Sequence, residues 1–299
     1  MSETVLKKFN EYLLNRKEFS TNTINSYDRD LKKIFLYLAE KGYSTEDYSW
    51  LNEEFVSRYI DYLKDKDYSS ATLSRTISTV HIFVEYLWIE KVIPNRVNID
   101  VHIDKVEHQD LVIFTRQEIA KILDVETNNL MGYRDKAIFE LSYSIGIKPT
   151  ECINLELKDV NTTIGYLKYR KKDGYRTVAL NKESVEAIEN YIVELKKEYP
   201  NIKDDSKLFL NHDGEGISRQ GFWKIFKKRQ QELGLTKELN TMNFRNSLAI
   251  HLLEDKVPAE EVQELLGLKN IHSLKLYFSS LEGNKSKRMM TNHPRKTIN

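Results

Sequence analysis

Tyr277 stands in the segment LLGLKNIHSLKLYFSS, residues 265–280, which reads as a leucine-rich helix end followed by a glycine and a polar turn. A tyrosine phenol has an ordinary pKa of about 10 and acts as a nucleophile only where neighbouring groups activate it. The chain contains 17 tyrosines, and a core position is the alternative for any one of them. A nucleophilic role for Tyr277 therefore requires activating residues elsewhere in the chain.

Basic residues with interleaved aromatic residues are the candidates for this activation. One group lies on a predicted hairpin: Lys168, Arg170, Lys171, Lys172 and Arg176. Another lies on a predicted helix that also carries Phe222, Trp223 and Phe226: Arg219, Lys224, Lys227 and Lys228. Both groups suit phosphate contacts, and a solvated charged face is the alternative. The sequence has no glycine-rich phosphate loop, HExxH or GxSxG motif, so nucleotide, zinc-protease and hydrolase functions lack support.

The composition sets broad limits on the class of protein. A length of 299 residues with 40% hydrophobic residues allows two folded domains. The 46 basic and 45 acidic residues nearly cancel, so net charge indicates no polyanionic partner. The single cysteine, Cys152, excludes an internal disulfide framework and reads as a small buried hydrophobe. No apolar run approaches the roughly 18 residues of a membrane span, and the charged start is unlike a signal peptide, so a cytoplasmic protein is expected.

Helical periodicity dominates the first hundred residues. Apolar residues recur at helical spacing over 24–38, 55–63 and 73–87, the first run after the cap-like STNT. A proline and mixed charge over 92–113 interrupt the pattern, and a Thr115 to Glu118 capping box restarts it, which predicts a domain boundary near residue 108. Beyond it we expect a β-hairpin in GYLKYRKKDGYRTVAL. Helices are expected around YRDKAIFELSYSIG, TECINL, SVEAIENYIVELKK, RQGFWKIFKKRQQEL, NFRNSLAIHLL and AEEVQELLG.

The order and spacing of these segments resemble the catalytic domain of the tyrosine recombinases, a family that includes phage integrases and Xer resolvases. The matching text runs from RDKAIFELSYSIGIKPTECINLELKDV through the basic hairpin and SRQGFWKIFKK to NTMNFRNSLAIHLL and EEVQELLGLKNIHSLKLY. Residues 20–38 resemble the family's helical core-binding domain, so the resemblance covers nearly the whole chain. It implies a mainly α fold with a helical, SAM-like core-binding domain over 1–107. An α+β catalytic domain with a small antiparallel sheet and a basic tail is expected over 108–299.

The resemblance implies a specific chemistry and assigns residues to it. Tyrosine recombinases attack a DNA phosphodiester with a tyrosine and form a 3′-phosphotyrosine without a metal or other cofactor. Two arginines hold the phosphate oxygens, a hairpin lysine is the acid, and histidines assist. Tyr277 matches the nucleophile, Arg245 matches the second arginine, and Lys171 matches the hairpin lysine, with Lys172 as the alternative in a shifted register. Glu151 matches the acidic residue that follows the first arginine and is expected to act through a neighbour.

Three positions of the family's catalytic set hold other residues. Lys148 stands in place of the first arginine and keeps the charge, but it lacks the planar fork that grips two phosphate oxygens. Met242 and Leu268 stand in place of two histidines, and neither side chain can donate a hydrogen bond or move a proton. None of the polar residues nearby in sequence matches a replacement: Asn243, His251 and His272.

The sequence thus predicts a site-specific DNA recombinase whose catalysis is impaired. The alternative is a recombinase-fold DNA-binding protein without catalysis, which acts as a regulator or as the silent partner of an active recombinase. A helical structural protein without a DNA function is a third reading. Duplex DNA is the expected partner, and the resemblance implies a homo- or hetero-tetramer on DNA. No membrane or small-molecule partner is expected.

The resemblance also predicts DNA-contacting residues in both domains. In the first domain they are Ser70, Thr72 and Arg75, for which helix capping is the alternative. In the second domain they are Arg170, Lys172, Arg176, Arg219, Lys224 and Lys228. The basic tail over 283–299 suits contact with phosphates or a neighbouring subunit, and a solvated terminus is the alternative.

Overall fold

The computed structural model describes residues 2–44, 48–101, 111–171, 174–268 and 270–281, without the side chains of residues 2, 3 and 272. The chain divides into two compact units, Met1–Gln109 and Asp110–Asn299. The predicted fold, mainly helical with one small antiparallel sheet, is confirmed. None of the described helices is both long and apolar enough to cross a membrane.

The described part of the first unit contains α1 (Ser2–Asn15), α2 (Thr21–Glu40), α3 (Glu53–Asp65) and α4 (Ser70–Ile89). Polar side chains cap three of these helices, because Ser20, Asn52 and Ser69 each accept a hydrogen bond from the backbone N–H three residues further on. The cap expected in STNT is therefore present. The apolar faces of the helices meet in an aromatic-rich core that includes Phe9, Phe35, Trp50, Phe55 and Phe83.

Asp30 is a charged residue inside this core, with 2% of its surface exposed. Its carboxylate accepts hydrogen bonds from Nε and Nη2 of Arg75 at 2.7 and 2.8 Å, and from Oγ1 of Thr79 at 3.3 Å. A buried carboxylate costs several kcal/mol unless it is paired, so this bidentate ion pair is needed to join α2 to α4. Arg75, predicted as a DNA contact, thus has a partner inside the unit.

The described helices of the second unit are α5 (Arg116–Leu123), α6 (Leu130–Ile145), α7 (Pro149–Cys152), α8 (Lys182–Glu198), α9 (Arg219–Glu232), α10 (Thr241–Glu254), α11 (Ala259–Leu266) and α12 (275–281). Short 3-10 turns cover Leu157–Asp159 and Ile271–Leu274. The predicted capping box at the start of α5 is confirmed. The helix predicted around TECINL ends at Cys152. Residues 153 and 154 form a turn, after which Leu155 and Leu157 form backbone hydrogen bonds with Leu208 and Ser206.

The sheet has the strand order β1 (Val160–Asn161), β2 (Tyr166–Lys171) and β3 (Gly174–Ala179), and both pairings are antiparallel. The predicted hairpin is confirmed, with Lys171 opposite Gly174. Its turn residues, 172 and 173, lie outside the described part of the chain. Strand β1 was not predicted, since two residues carry no periodic signal.

Two cores hold the second unit together. The larger one packs α6, α8 and α9 through residues that include Phe139, Tyr191 and Phe226. The smaller one lies under the end of the described chain and contains Leu248, Ile250, Val262, Leu266, Leu274 and Tyr277. This smaller core docks α12 against α10 and α11, and it brings Tyr277 to the helix that carries Arg245.

Replacing Arg75 with alanine is expected to destabilise the protein by about 1–3 kcal/mol, because the buried Asp30 carboxyl group would lose its main hydrogen-bond partner. Arg29→Ala is the matched control, since Arg29 is exposed on α2 and hydrogen-bonds within its own helix. Urea unfolding of the full chain, followed by circular dichroism, measures both variants. Equal unfolding midpoints for the two would contradict the structural role of the Asp30–Arg75 pair.

Candidate active site

Helix α10 places two consecutive polar residues, Arg245 and Asn246, in the interior of the second unit. The helix is capped by Asn240, whose side chain accepts a hydrogen bond from the backbone N–H of Asn243 at 2.8 Å. The residues from Asn243 to His251 are all buried, as in a helix that is surrounded by protein. Arg245 and Asn246 are 8% and 5% exposed. Buried polar groups need hydrogen-bond partners, and these partners define the site.

The C-terminal ends of two helices bind the Arg245 guanidinium group. Nη1 donates to the carbonyl of Gly146, the left-handed residue that ends α6, and Nη2 donates to the carbonyl of Leu266, which ends α11. Such carbonyls lack an intrahelical donor and carry partial negative charge, which favours a cation. Burial lowers the pKa of Arg245, and the nearby Tyr277 and Glu151 oppose this shift.

Tyr277 reaches the same place from α12. Its hydroxyl group donates a hydrogen bond to Oδ1 of Asn246 at 3.0 Å, and 7% of the residue is exposed. Burial raises the pKa of the Tyr277 phenol, and the positive charge of Arg245 opposes this shift. A carboxamide oxygen accepts a hydrogen bond without taking the proton. The contact with Asn246 therefore holds Tyr277 in its protonated form.

The hairpin brings two cations to Gly267, the residue that follows α11. A methyl group added to the Gly267 Cα would be in very close contact with Nζ of Lys171 and would lie 2.7 Å from Nη1 of Arg176. These two nitrogen atoms are therefore within about 5 Å of each other, a distance at which like charges repel. Arg176 also donates to the carbonyl of Glu264 in the last turn of α11, and to the hydroxyl group of Tyr169 at 3.2 Å. The hairpin is thereby attached to the end of α11.

The connection between α6 and α7 adds a further cation and a carboxylate. Lys148 is exposed, and its backbone N–H donates to Oε2 of Glu151 at 2.9 Å. Burial lowers the pKa of the Lys171 amine, and three neighbouring cations lower it further: Arg176, Lys148 and Arg245. Glu151 acts in the opposite direction. All four side chains are therefore close enough to Lys171 to influence its charge.

We call Lys148, Lys171, Arg176 and Arg245 the cation cluster. Of the carboxylates that the structure describes, Glu151 is the one that acts on Lys171 and Arg245 in this cluster, and Tyr277 also acts on Arg245. An excess of convergent N–H donors of this kind favours an anion with several oxygen atoms, such as a phosphate group. Among the described residues, no group of three His, Cys, Asp or Glu side chains is placed to hold a metal ion.

Met242 and Leu268, at the positions where the resemblance implies histidines, add no donor to this cluster. Met242 lies in the first turn of α10 with 62% of its surface exposed. The Leu268 side chain packs against the smaller core, and its backbone N–H donates to the carbonyl of Gln263 at 3.0 Å. The structure therefore uses Leu268 to end α11 and to fill the core.

Two of the three polar residues near these positions have structural partners. Nδ2 of Asn243 donates to the carbonyl of Glu238 at 2.8 Å, which fixes the loop before α10. Nδ1 of His251 hydrogen-bonds the hydroxyl group of Tyr143 on α6 at 2.6 Å, and burial lowers the pKa of His251. The side chain of His272 lies outside the described residues.

Four residues predicted to contact DNA are exposed on the second unit: Arg170, Arg219, Lys224 and Lys228. On α9, Trp223 lies among the basic residues with 56% of its surface exposed. Side chains alternate along β2, so Arg170 faces outward while Tyr169 faces the core. Lys172 and the basic tail lie outside the described residues.

In the first unit, Ser69 rather than Ser70 caps α4, because Oγ of Ser69 accepts the backbone N–H of Thr72 at 3.3 Å. Oγ1 of Thr72 lies 3.0 Å from the same oxygen. Capping thus accounts for the polar residues at this helix start, and Arg75 is paired with Asp30. Contact of Ser70, Thr72 and Arg75 with DNA stays a prediction.

Sequence reasoning missed three features of the site: Asn246, Tyr169 and the position of Gly267. Asn246 follows Arg245 directly, but its contact with Tyr277 depends on how α12 docks against α10. The alternating pattern of β2 was a usable signal for a buried residue at Tyr169. The sequence identifies Gly267 as a helix end. It does not show that Gly267 lies close to the hairpin, because this contact depends on the tertiary fold.

Family models and known proteins show where this arrangement belongs. Residues 113–283 match the phage integrase family, and residues 6–91 match the phage integrase N-terminal SAM-like domain. The chain therefore belongs to the phage integrase family, whose members are tyrosine recombinases. The family expected from the motifs is confirmed.

Two relatives match more than nine tenths of the chain. XerD of Staphylococcus haemolyticus, a tyrosine recombinase, is 31% identical over 279 residues, which are 92% of this chain and 93% of that protein. XerD of Oceanobacillus iheyensis is 29% identical over 298 residues, which are 99% of this chain and 100% of that protein.

Among solved structures, the XerH recombinase in a pre-cleavage complex with its difH substrate is similar with a TM-score of 0.69 and 21% identity, over 85% of this chain and 76% of that one. A lambda integrase dimer on a core site is similar with a TM-score of 0.66 and 15% identity, over 92% of this chain and 94% of that one. At these identities the likeness establishes the fold.

Two glycine-to-alanine variants are expected to lose different amounts of stability. One adds only backbone strain, and the other adds backbone strain and a steric clash. Gly234 has φ +58° and nothing within 4 Å of an added methyl group, so Gly234→Ala should cost about 1 kcal/mol from strain alone. Gly146 has φ +59°, and its methyl group would lie 2.8 Å from Cδ2 of Leu266 and 3.3 Å from Cγ of Arg245. Gly146→Ala should therefore cost about 1–3 kcal/mol more. Thermal unfolding of the full chain measures both, and equal losses would contradict the close packing of Arg245 against the end of α6.

Proposed function

We propose that the chain is a site-specific DNA recombinase that binds duplex DNA and exchanges strands through a 3′-phosphotyrosine on Tyr277. The observation that carries this proposal is the convergence of the cation cluster and Glu151 beside a buried tyrosine. The comparisons support it, since two relatives are tyrosine recombinases and the XerH neighbour was determined with its DNA substrate.

The cation cluster would bind the non-bridging oxygens of one phosphodiester and stabilise the charge that they gain during attack. Oη of Tyr277 forms a bond to phosphorus as the bond from phosphorus to the 5′ oxygen breaks. The phenolic proton passes to solvent or to a phosphate oxygen, because Asn246 is not a base. Attack of a 5′ hydroxyl group on the phosphotyrosine reverses these steps, so the strand is rejoined without an external energy source.

Lys171 is the proposed acid for the departing 5′ oxygen. An ordinary lysine has a pKa of about 10.4, and an acid works best when its pKa is near the working pH. Burial and the neighbouring cations lower the pKa of Lys171, which is the direction required. The cations that are proposed to bind the phosphate group thus also lower the pKa of the proposed proton donor.

We further infer that catalysis is slower than in a family member with the complete set. Lys148 offers a point charge without a fork, and Met242 and Leu268 offer no proton. Loss of one electrostatic donor typically costs about a hundredfold to a thousandfold in rate. Losses within one catalytic unit are not additive, so the three substitutions together need not abolish activity.

The second candidate function is a DNA-binding protein of the same fold that does not cut DNA. The hydrogen bond that holds Tyr277 protonated on Asn246, and the exposure of Met242 at the histidine position, favour it. Such a protein would act as a regulator or as the silent partner of an active recombinase. For either function the proposed assembly is a homo- or hetero-tetramer on DNA, in the cytoplasm, where DNA is accessible.

A trapping assay is expected to give a covalent complex that depends on Tyr277. The substrate is a duplex selected from a random pool by the protein, with a nick just 3′ of the candidate phosphate, so that a short fragment is lost and cleavage becomes irreversible. Wild-type protein should give a slowly migrating band on a denaturing gel, and Tyr277→Phe should give none. Tyr199→Phe is the control and should keep the band. Tight binding without a band would favour the second candidate function.

Lys148→Arg is expected to raise the single-turnover cleavage rate about tenfold or more, because the planar guanidinium group can donate to two phosphate oxygens. The measurement is the appearance of covalent complex with time on the nicked duplex. Lys158→Arg is the matched control, because Lys158 is an exposed lysine of the same unit that pairs with Glu156. A rate that stays the same or falls would show that the phosphate group does not bind beside residue 148.

A further inference from the structure

Arg176 lies in the cation cluster, although the family resemblance gives it no part in the chemistry. We propose that Arg176 is a further catalytic residue, whose guanidinium group binds a non-bridging oxygen of the phosphodiester beside Tyr277 and supplies the planar donor pair that Lys148 lacks. This inference rests on the proposed function, because it concerns the same phosphate group. Its support comes from the register of the hairpin, from the charges around Arg176 and from its free donors.

The register of the hairpin directs Arg176 inward. Arg176 is paired with Tyr169, and directly opposed residues of an antiparallel pair have their side chains on the same face of the sheet. Tyr169 is 3% exposed, so this is the face that packs on the core. Lys171 follows Tyr169 by two residues and shares that face, whereas Arg170 is on the opposite one. Arg176 and Lys171 are thus aimed at the same place.

The charges around Arg176 favour an anion. Nη1 of Arg176 and Nζ of Lys171 both lie close to the position of a Gly267 methyl group, the former at 2.7 Å. Within the described part of the chain, no Asp or Glu carboxylate forms an ion pair with either group, although Glu151 opposes the lowering of the Lys171 pKa. Two cations held this close repel each other unless an anion lies between them. A phosphate group bound at this point would remove the repulsion.

Arg176 also has donors to spare. An arginine side chain carries five N–H donors, and the carbonyl of Glu264 and the hydroxyl group of Tyr169 take two of those of Arg176. These two contacts fix the plane of the guanidinium group at the end of α11. Arg245 is anchored in a similar way, since each of its terminal nitrogens donates to a backbone carbonyl. Arg176 is therefore the second guanidinium group of the cluster, held in place with three donors available.

A purely structural role is the competing explanation, since Arg176 attaches the hairpin to α11. The two roles differ in their dependence on the charge of the phosphate group. A methylphosphonate linkage replaces one non-bridging oxygen with a methyl group and removes the negative charge. A residue that binds that oxygen contributes to binding of the phosphodiester and little to binding of the methylphosphonate. A residue that only supports the hairpin contributes equally to both.

The test measures equilibrium binding of full-length protein to two versions of a duplex that the wild-type protein has selected from a random pool. One version has the natural phosphodiester at the position of attack, and the other has a methylphosphonate there. We expect wild-type protein to prefer the phosphodiester by about tenfold or more. Arg176→Gln should lose most of that preference. Arg176→Lys, which keeps the charge and one donor for Glu264, should retain part of it.

Arg170→Gln is the matched control, a hairpin arginine on the outer face. It should weaken binding of both duplexes by the same factor and leave the preference unchanged. If Arg176→Gln and Arg176→Lys both keep the wild-type preference, the proposal for Arg176 is overturned. If the wild-type protein selects no duplex from the random pool, the proposed function itself fails. Because binding is measured, the test holds whether or not the protein cuts DNA.

Discussion

The site depends on the attraction between arginine side chains and the carbonyl groups at two helix ends. Arg245 binds the last carbonyls of α6 and α11, and Arg176 binds a carbonyl in the last turn of α11. Carbonyls at the C-terminal end of a helix carry partial negative charge, so the two cations stabilise both helix ends. The same contacts hold several like charges in one place without a matching number of acids. The same hydrogen bonds therefore stabilise the helix ends and hold the cations where they can bind a phosphate group.

This constraint explains which residues surround the cluster. A left-handed glycine ends each of the two helices, because only a residue without a side chain lets the arginine and the hairpin lysine approach so closely. Tyr277 packs in the smaller core and donates a hydrogen bond to Asn246. It therefore lies beside the cation cluster as a protonated phenol. Tyr277 is the proposed nucleophile beside these charges. At the two positions where the resemblance implies histidines, Met242 is exposed and Leu268 packs against the smaller core, and neither offers a proton.

The regular elements could be predicted from the sequence because they follow from local periodicity. The spacing of apolar residues predicted the helices. The serine and threonine caps and the β-hairpin could also be predicted from the sequence. The end of α7 at Cys152 was not predictable, because the backbone hydrogen-bond partners of Leu155 and Leu157 are about 50 residues away in sequence. The resemblance brought Tyr277, Lys171 and Arg245 together, and the structure places them in one neighbourhood. Two contacts could not be predicted from the sequence, because each depends on how two helices pack. They are the hydrogen bond of Tyr277 with Asn246 and the ion pair of Arg75 with Asp30.

The most direct test of the central claim is to locate the covalent bond between the protein and DNA. Covalent complex formed on the nicked duplex would be digested with trypsin and nuclease, and the peptide that carries the residual nucleotide would be sequenced by mass spectrometry. The account predicts that the nucleotide is attached to Tyr277, in the peptide LYFSSLEGNK that spans residues 276–285. Attachment to any other residue, or tightly bound DNA with no attachment at all, would contradict it.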